Sequence, residues 1–212
     1  MHIPDGFLSV ATVATTYVVS AGGVGNAVRI ANKKLGEKQV PLMGVLAAFI
    51  FAAQMLNFPI AGGTSGHLIG AALAAILLGP WAGVLIMSCV LIAQCLIFQD
   101  GGLLALGANI FNMGIVASFS GYYLYRLAIS LSGDERRGKL IGGFVAAWGS
   151  VFLASIACAI ELAVSGASPL AVVLPAMAGF HALIGIGEGL ITAAVLSFVL
   201  VTRPDLCQLE RI

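Results

Sequence analysis

Apolar runs close to twenty residues long alternate along the chain with short polar breaks, the period expected of helices that cross a hydrocarbon core. Seven such helices are predicted, over 8–30, 41–57, 67–79, 81–98, 107–131, 140–164 and 182–202. The third is short and ends at Gly79 and Pro80, which forces a tight turn into the fourth. The stretch SPLAVVLPAMAGF, 168–180, is apolar but carries Pro169 and Pro175. One helix over 168–202 would run roughly 52 Å against a core of ~30 Å. A break or an interfacial segment near 175–179 is therefore expected.

Composition places this pattern in a membrane. Of the 212 residues 60% are hydrophobic and 9% charged, and the mean hydropathy is +1.06. Soluble domains carry about 25% charge, so the chain reads as a single integral membrane domain over 1–212, an all-α polytopic helical bundle. The 27 glycines suit helices that pack through small residues in lipid. A net charge of +1 gives no basic face for nucleic acid. Cys89, Cys95, Cys158 and Cys207 form no CxxC pair, and the first three sit in apolar runs as small hydrophobes. No Lys or Arg precedes Arg29, so the start lacks the basic region of a signal peptide and is expected to stay on the mature chain.

Charge also orients the bundle. Arg29, Lys33, Lys34 and Lys38 flank the first loop, Arg126, Arg136, Arg137 and Lys139 the fifth-to-sixth, and Arg203 and Arg211 follow the last run. With seven crossings all of them share one side, which the positive-inside rule makes cytoplasmic. The N-terminus is then outside and the C-terminus inside. Residues 1–7 (MHIPDGF) and the loop FPIAGGTSGH, 58–67, both fall on the external face.

That shared face gives His2 and His67 a chemistry. The Met1 amine and the His2 amide nitrogen close a five-membered ring around a metal; the His2 amide and its own Nδ1 close a six-membered one. Ni(II) and Cu(II) favour planar nitrogen sites and can displace an amide proton, whereas Zn(II) prefers a tetrahedron. His67 is on the correct side to be the fourth nitrogen. Three glycines with Thr64 and Ser65 let the backbone before His67 fold close to an inserted N-terminus, and Pro4 stiffens the chain behind the chelate. A free Met1 amine is required, and initiator methionine is retained before a residue as bulky as His. The blander alternative is a pair of exposed histidines that are polar caps and nothing more.

MHIPDGFLS, GGTSGHLIGA, ALGANIFNMG and HALIGIGEGLIT together resemble the CbiM/NikM family, the substrate-capture components of energy-coupling-factor ABC transporters for cobalt and nickel. The resemblance implies Met1, His2 and His67 as metal ligands, and six core helices preceded by one extra N-terminal helix. It also implies ABC-type ATPase partners, a transmembrane coupling protein, often a further small membrane subunit, and residence in a prokaryotic inner membrane. Asn109 and Asn112 would lie near the pocket, hydrogen-bonded to a ligating histidine, or else bond between helices. Ser65 is a further candidate neighbour of the metal.

Other polar residues stay open at this level. His181 and Glu188, seven apart, share a helix face and would form a polar pair or, more boldly, a second metal site. Glu161 near the outer end of the sixth run would reach the interface. Asp5 would offset the metal's charge or cap the first helix. Gly44, Ala48 and Ala52 make one small-residue stripe and Gly66, Gly70 and Ala74 another; the resemblance assigns the first to the coupling protein and the second to the interior, the alternative being that both pack internally. No GxxxxGK[ST] nucleotide loop is present, so ATP hydrolysis would belong to the partners, and no cofactor is expected because the metal is cargo. Absence of HExxH argues against a membrane metallohydrolase, and histidines near one surface argue against a stand-alone secondary metal permease.

Overall fold

A computed structural model of the protein describes residues 1–37, 39–132 and 135–208. Lys38 and Arg211, counted above in the charge pattern, lie outside the described residues, as does the side chain of Cys207. Among the described residues the chain is mainly helical. Helix α1 spans Val10–Lys34 and is capped by Ser9, whose hydroxyl accepts from Thr12 N. Helix α2 spans Gln39–Gln54. A small hairpin follows, β1 Phe58–Pro59 antiparallel to β2 Ser65–Gly66, with Phe58 opposite Gly66. Helix α3 spans only Ala71–Leu78 and α4 spans Pro80–Phe98, its last turn wound as a π-helix over Gln94–Phe98. Helix α5 covers 106–131 in three pieces, Leu106–Asn109, a π-helical Ile110–Val116 and Ala117–Leu131. Helix α6 spans Glu135–Val164 and α7 spans Leu170–Thr202.

These seven helices follow the seven apolar runs in order, with two corrections. The third run is not a helix over 67–79. Residues 67–70 have no regular secondary structure, Gly70 being left-handed at φ 80°, and α3 has eight residues, all buried, for a length of about 12 Å. Irregular backbone at that depth is tolerated where protein surrounds it. Gly79, at φ 98°, caps α3 and opens α4, the tight turn the sequence called for.

The seventh run is not broken at 175–179. Helix α7 is continuous through Pro175 and about 50 Å long. Pro175 removes only one bond near the helix start, and the first turns are packed against the hairpin. A Cβ on Gly62 would stand 3.0 Å from Val172, and one on Gly63 2.5 Å from Met177. Phe180 meets Phe58 edge-on. The excess length thus wraps the hairpin.

By length and composition, Pro80–Phe98, Arg136–Val164 and Leu170–Thr202 are apolar enough to cross a membrane, and Gln39–Gln54 is a shorter apolar helix. Residues 1–9, the hairpin, the turn at 99–105 and the start of α7 meet at one end of the bundle. Arg29, Lys33 and Lys34 end α1, Arg136, Arg137 and Lys139 begin α6, and Arg203 follows α7, all at the other end.

Candidate metal centre

The first residues have no secondary structure, yet Met1 and Ile3 are fully buried and His2 nearly so. Buried backbone without a ladder needs partners, and side chains supply them. Ser65 Oγ accepts from the Met1 amine (3.1 Å) and from His2 N (3.0 Å). Asn109 clamps Ile3 from both sides: its Oδ1 accepts from Ile3 N at 2.8 Å and its Nδ2 donates to Ile3 O at 3.2 Å. Gly102 N donates to the same carbonyl at 2.9 Å. Gly102 must be glycine, because a Cβ would fall 2.3 Å from Asp5 N.

The nitrogens of this strap converge on the hairpin. His67 Nδ1 donates to Leu68 O at 2.7 Å, so its Nε2 carries the lone pair and faces the Met1 amine at 2.6 Å. His2 Nε2 donates to Gln94 Oε1 at 3.0 Å, leaving Nδ1 bare and without a hydrogen-bond partner. The two imidazoles stack with centroids 4.5 Å apart and planes 26° from parallel. Met1 N, His2 N, His2 Nδ1 and His67 Nε2 therefore form a four-nitrogen donor set that can chelate a transition metal. Among the described residues no cluster of three His, Cys, Asp or Glu side chains offers an alternative.

Burial prepares these donors. Desolvation pulls the Met1 amine from 8.0 to about 5 and His2 from 6.5 to about 3, the neighbouring amine adding to the effect on His2. His67 is lowered well below its ordinary value by the same burial and by the amine and His2. All three present lone pairs at neutral pH. Asp100, on the turn after α4, is raised by burial and pulled back by the amine.

Several residues do something other than the sequence suggested. His181 and Glu188 share a face of α7 but do not bond each other. Glu188 accepts from Ile69 N (2.6 Å) and Gly70 N (2.8 Å), capping α3 and fixing the irregular segment behind His67. His181 Nδ1 donates to Met177 O. Asn109 holds backbone, not a histidine: the ring nitrogens turned away from the amine, His2 Nε2 and His67 Nδ1, are taken by Gln94 and Leu68. Asn112 takes the expected alternative, a bond between helices: its Nδ2 donates to Glu161 Oε2 on α6 at 2.6 Å. Glu161 is accordingly buried and not at an interface. Asp5 neither faces the donors nor caps α1: its carboxylate accepts from Leu103 N, Leu104 N and Ala105 N at 2.8–3.3 Å and so caps the start of α5.

Residues 2–206 match the model of CbiM, the cobalt uptake substrate-specific transmembrane region. The chain belongs to the CbiM family. It is 47% identical over 98% of its length, and 68% of the relative's, to a putative fused nickel transport protein NikMN of Archaeoglobus fulgidus. It is 30% identical over 97% of its length, and 94% of the relative's, to the cobalt transport protein CbiM of Sorangium cellulosum. A crystal structure of a truncated transition metal transporter superposes with TM-score 0.86 at 40% identity, covering 94% of this chain and 98% of that one. With its apolar helices, this CbiM-family chain is a multi-pass membrane protein.

Sequence reasoning missed the part of this CbiM-family site contributed by α4 and the turn behind it. Gln94 sets the tautomer of His2, and Asp100 Oδ1 lies 3.4 Å from His2 Nδ1. Gly101, at φ 91°, brings the turn so close that a Cβ would stand 3.3 Å from His2 Cδ2. The run QDGG at 99–102, an acid beside two glycines just before a quoted motif, was the available signal. The small-residue stripes also separate. Gly44, Ala48 and Ala52 are exposed on α2. Gly66 and Gly70 precede α3, so they form no helical stripe with Ala74, although Gly66 and Ala74 are buried and Gly70 packs on Ile50.

Proposed function

We propose that the chain captures Ni(II) or Co(II) at the external face, bound by the Met1 amine, the His2 amide and Nδ1, and His67 Nε2, as the substrate-specific membrane component of an energy-coupling-factor ABC transporter. The observation that carries this is the Met1 amine buried 2.6 Å from the lone pair of His67, beside a bare His2 Nδ1. A buried terminus whose amine meets an unprotonated imidazole has little other use, and the relatives are named as nickel and cobalt transport proteins. A planar nitrogen set with one deprotonated amide favours nickel over cobalt.

In this reading the strap end is external and the basic end cytoplasmic, in a prokaryotic inner membrane. Partner ATPases and a coupling protein, with a small accessory subunit, drive release inward, and the exposed Gly44, Ala48 and Ala52 face of α2 receives the coupling protein. No residue acts catalytically; the metal is cargo. The test is the absorption spectrum of purified protein with Ni(II): a low-spin planar band supports the chelate, and a high-spin octahedral spectrum rejects it. Metal uptake into vesicles by this chain without ATPase partners would replace the coupled mechanism with a stand-alone permease.

A further inference from the structure

Asp100 stands at the mouth of the donor set on a turn built to hold it there. The π-helical end of α4 closes with Asp100 N donating to Gln94 O at 3.1 Å. Gln99 before it has φ 56° and Gly101 after it φ 91°; Gln99 is the one non-glycine residue with positive φ among the described residues. A glutamine held in the left-handed region is strained, so the surroundings dictate this shape. Asn57 Nδ2 donates to Asp100 Oδ2 at 3.0 Å, which leaves Oδ1 turned to His2 Nδ1 at 3.4 Å. Because His2 Nε2–H is spent on Gln94, a carboxylate oxygen and an imidazole lone pair face each other with no hydrogen between them. A cation relieves that opposition; a neutral ligand does not.

Exposure and charge give the pair a direction. The Asp100 side chain is 18% exposed and that of His2 2%, so an incoming ion reaches the carboxylate first. Once a divalent metal sits on an amine, two neutral imidazoles and one deprotonated amide, a single positive charge remains. Asp5 is directed elsewhere, both its oxygens accepting from backbone N–H groups before α5, whereas Asp100 Oδ1 faces His2 Nδ1.

We propose that Asp100 is the gateway carboxylate of the site: it takes the hydrated divalent transition-metal cation at the external face, passes it to His2 Nδ1, and remains outside the four-nitrogen set as its counter-charge. The metal exchanges water for carboxylate oxygen and then for nitrogen, and the His2 amide proton leaves to solvent. This rests on the chelate proposed above.

The experiment uses the full chain with its native Met1, purified in detergent, and Ni(II) alone as probe, comparing wild type, Asp100→Asn and Asp100→Glu. Asparagine keeps the bond to Asn57 and the volume of the side chain. The expected result for Asp100→Asn is the wild-type absorption band at saturating metal, with an affinity roughly 10- to 100-fold weaker. The loss falls mainly on the association rate, which no longer slows with added salt as wild type does; Asp100→Glu recovers part of it. Unchanged affinity and salt dependence in Asp100→Asn would overturn the proposal. So would an altered band at saturation, which would make Asp100 a permanent ligand. A wild-type protein with no planar band would fail the chelate itself and not the assignment of Asp100.

Discussion

Residues 1–9 and the helix directly behind them are opposites. The first three residues have no regular structure and are buried, while the 25-residue α1 buries only Thr16, Ser20, Ala27 and Ala31 and leaves Val10 and Val18 86% and 74% exposed. A helix satisfies its own backbone, so α1 needs only an apolar surface outward and small residues inward, where Ser20 Oγ donates to Gly107 O. The strap must borrow its backbone bonds from elsewhere in the chain, chiefly Ser65, His67, Gly102 and Asn109. Irregular backbone therefore survives beside an apolar core only where specific polar side chains have been placed for it. In the strap most substitutions are chemical events; in α1 most are changes of area.

The largest effect should come from breaking that contrast at its source. One residue added before Met1 converts the amine to an amide and has to occupy the space between Met1, Ser65 and His67. Nickel binding by calorimetry should fall below detection, whereas Val18→Ala on the exposed face of α1 should leave it unchanged. Retained binding in a protein with an uncleaved N-terminal tag would remove the amine from the donor set.

Next is Asn109→Ala, which strips both of its bonds from Ile3. The carbonyl keeps Gly102, but Ile3 N–H is left buried and alone, a cost of about 1–3 kcal/mol. If the docked strap is the binding-competent state, nickel affinity drops roughly 10- to 100-fold while the absorption band at saturation is kept. An unchanged affinity would mean the strap is held by its metal alone.

How far the sequence reached follows the same division. That Met1, His2 and His67 would meet was legible because the first two are consecutive and the hairpin histidine falls at the same end of the bundle. The helices were legible from apolar length, but not the shortness of α3 or the continuity of α7. For α7, contacts with the hairpin decided the matter, and the excess length together with Pro175 misled; for α3, Glu188 holds the backbone that precedes it. Asn109 and Asn112 look equivalent in one motif; the π-helical turn between them sends one to the strap and the other to Glu161. Asp5, Glu188, Gln94 and Asp100 act on backbone or rings far along the chain, 92 residues apart for Gln94 and His2, and no local pattern encodes such partners.

Acid should weaken the strap in a defined way. The buried amine has its pKa lowered from 8.0 to about 5, so the released strap binds a proton more tightly than the docked one. Docking is then favoured as pH rises between those values and is lost as pH falls through about 5. For the metal, the amine and both imidazoles are already unprotonated at pH 7, and only the His2 amide has a proton left to lose. Calorimetry in buffers of different ionisation enthalpy should count about one proton per nickel at neutral pH, and affinity should gain about tenfold per pH unit there. A count near zero rules out the amide. A count near two means that the amine is protonated in the free protein and that the strap docks only with its metal.

The smallest effect on the site, and the sharpest separation of binding from assembly, should come from α2. Gly44, Ala48 and Ala52 point outward, and a Cβ on Gly44 would meet nothing within 4 Å, so bulk on this face touches no other part of the chain. Gly70, by contrast, has φ 80° and would drive a Cβ to 2.7 Å from Ile50 Cγ1, directly on the segment that Glu188 holds behind His67. Ala48→Trp should therefore leave nickel affinity of the isolated subunit within about 0.5 kcal/mol of wild type, while Gly70→Trp disturbs His67 and weakens it. In the assembled system Ala48→Trp should prevent a coupling protein from approaching a small-residue face, abolishing co-purification and uptake. If Ala48→Trp still assembles and transports, the coupling protein docks elsewhere than on the exposed face of α2.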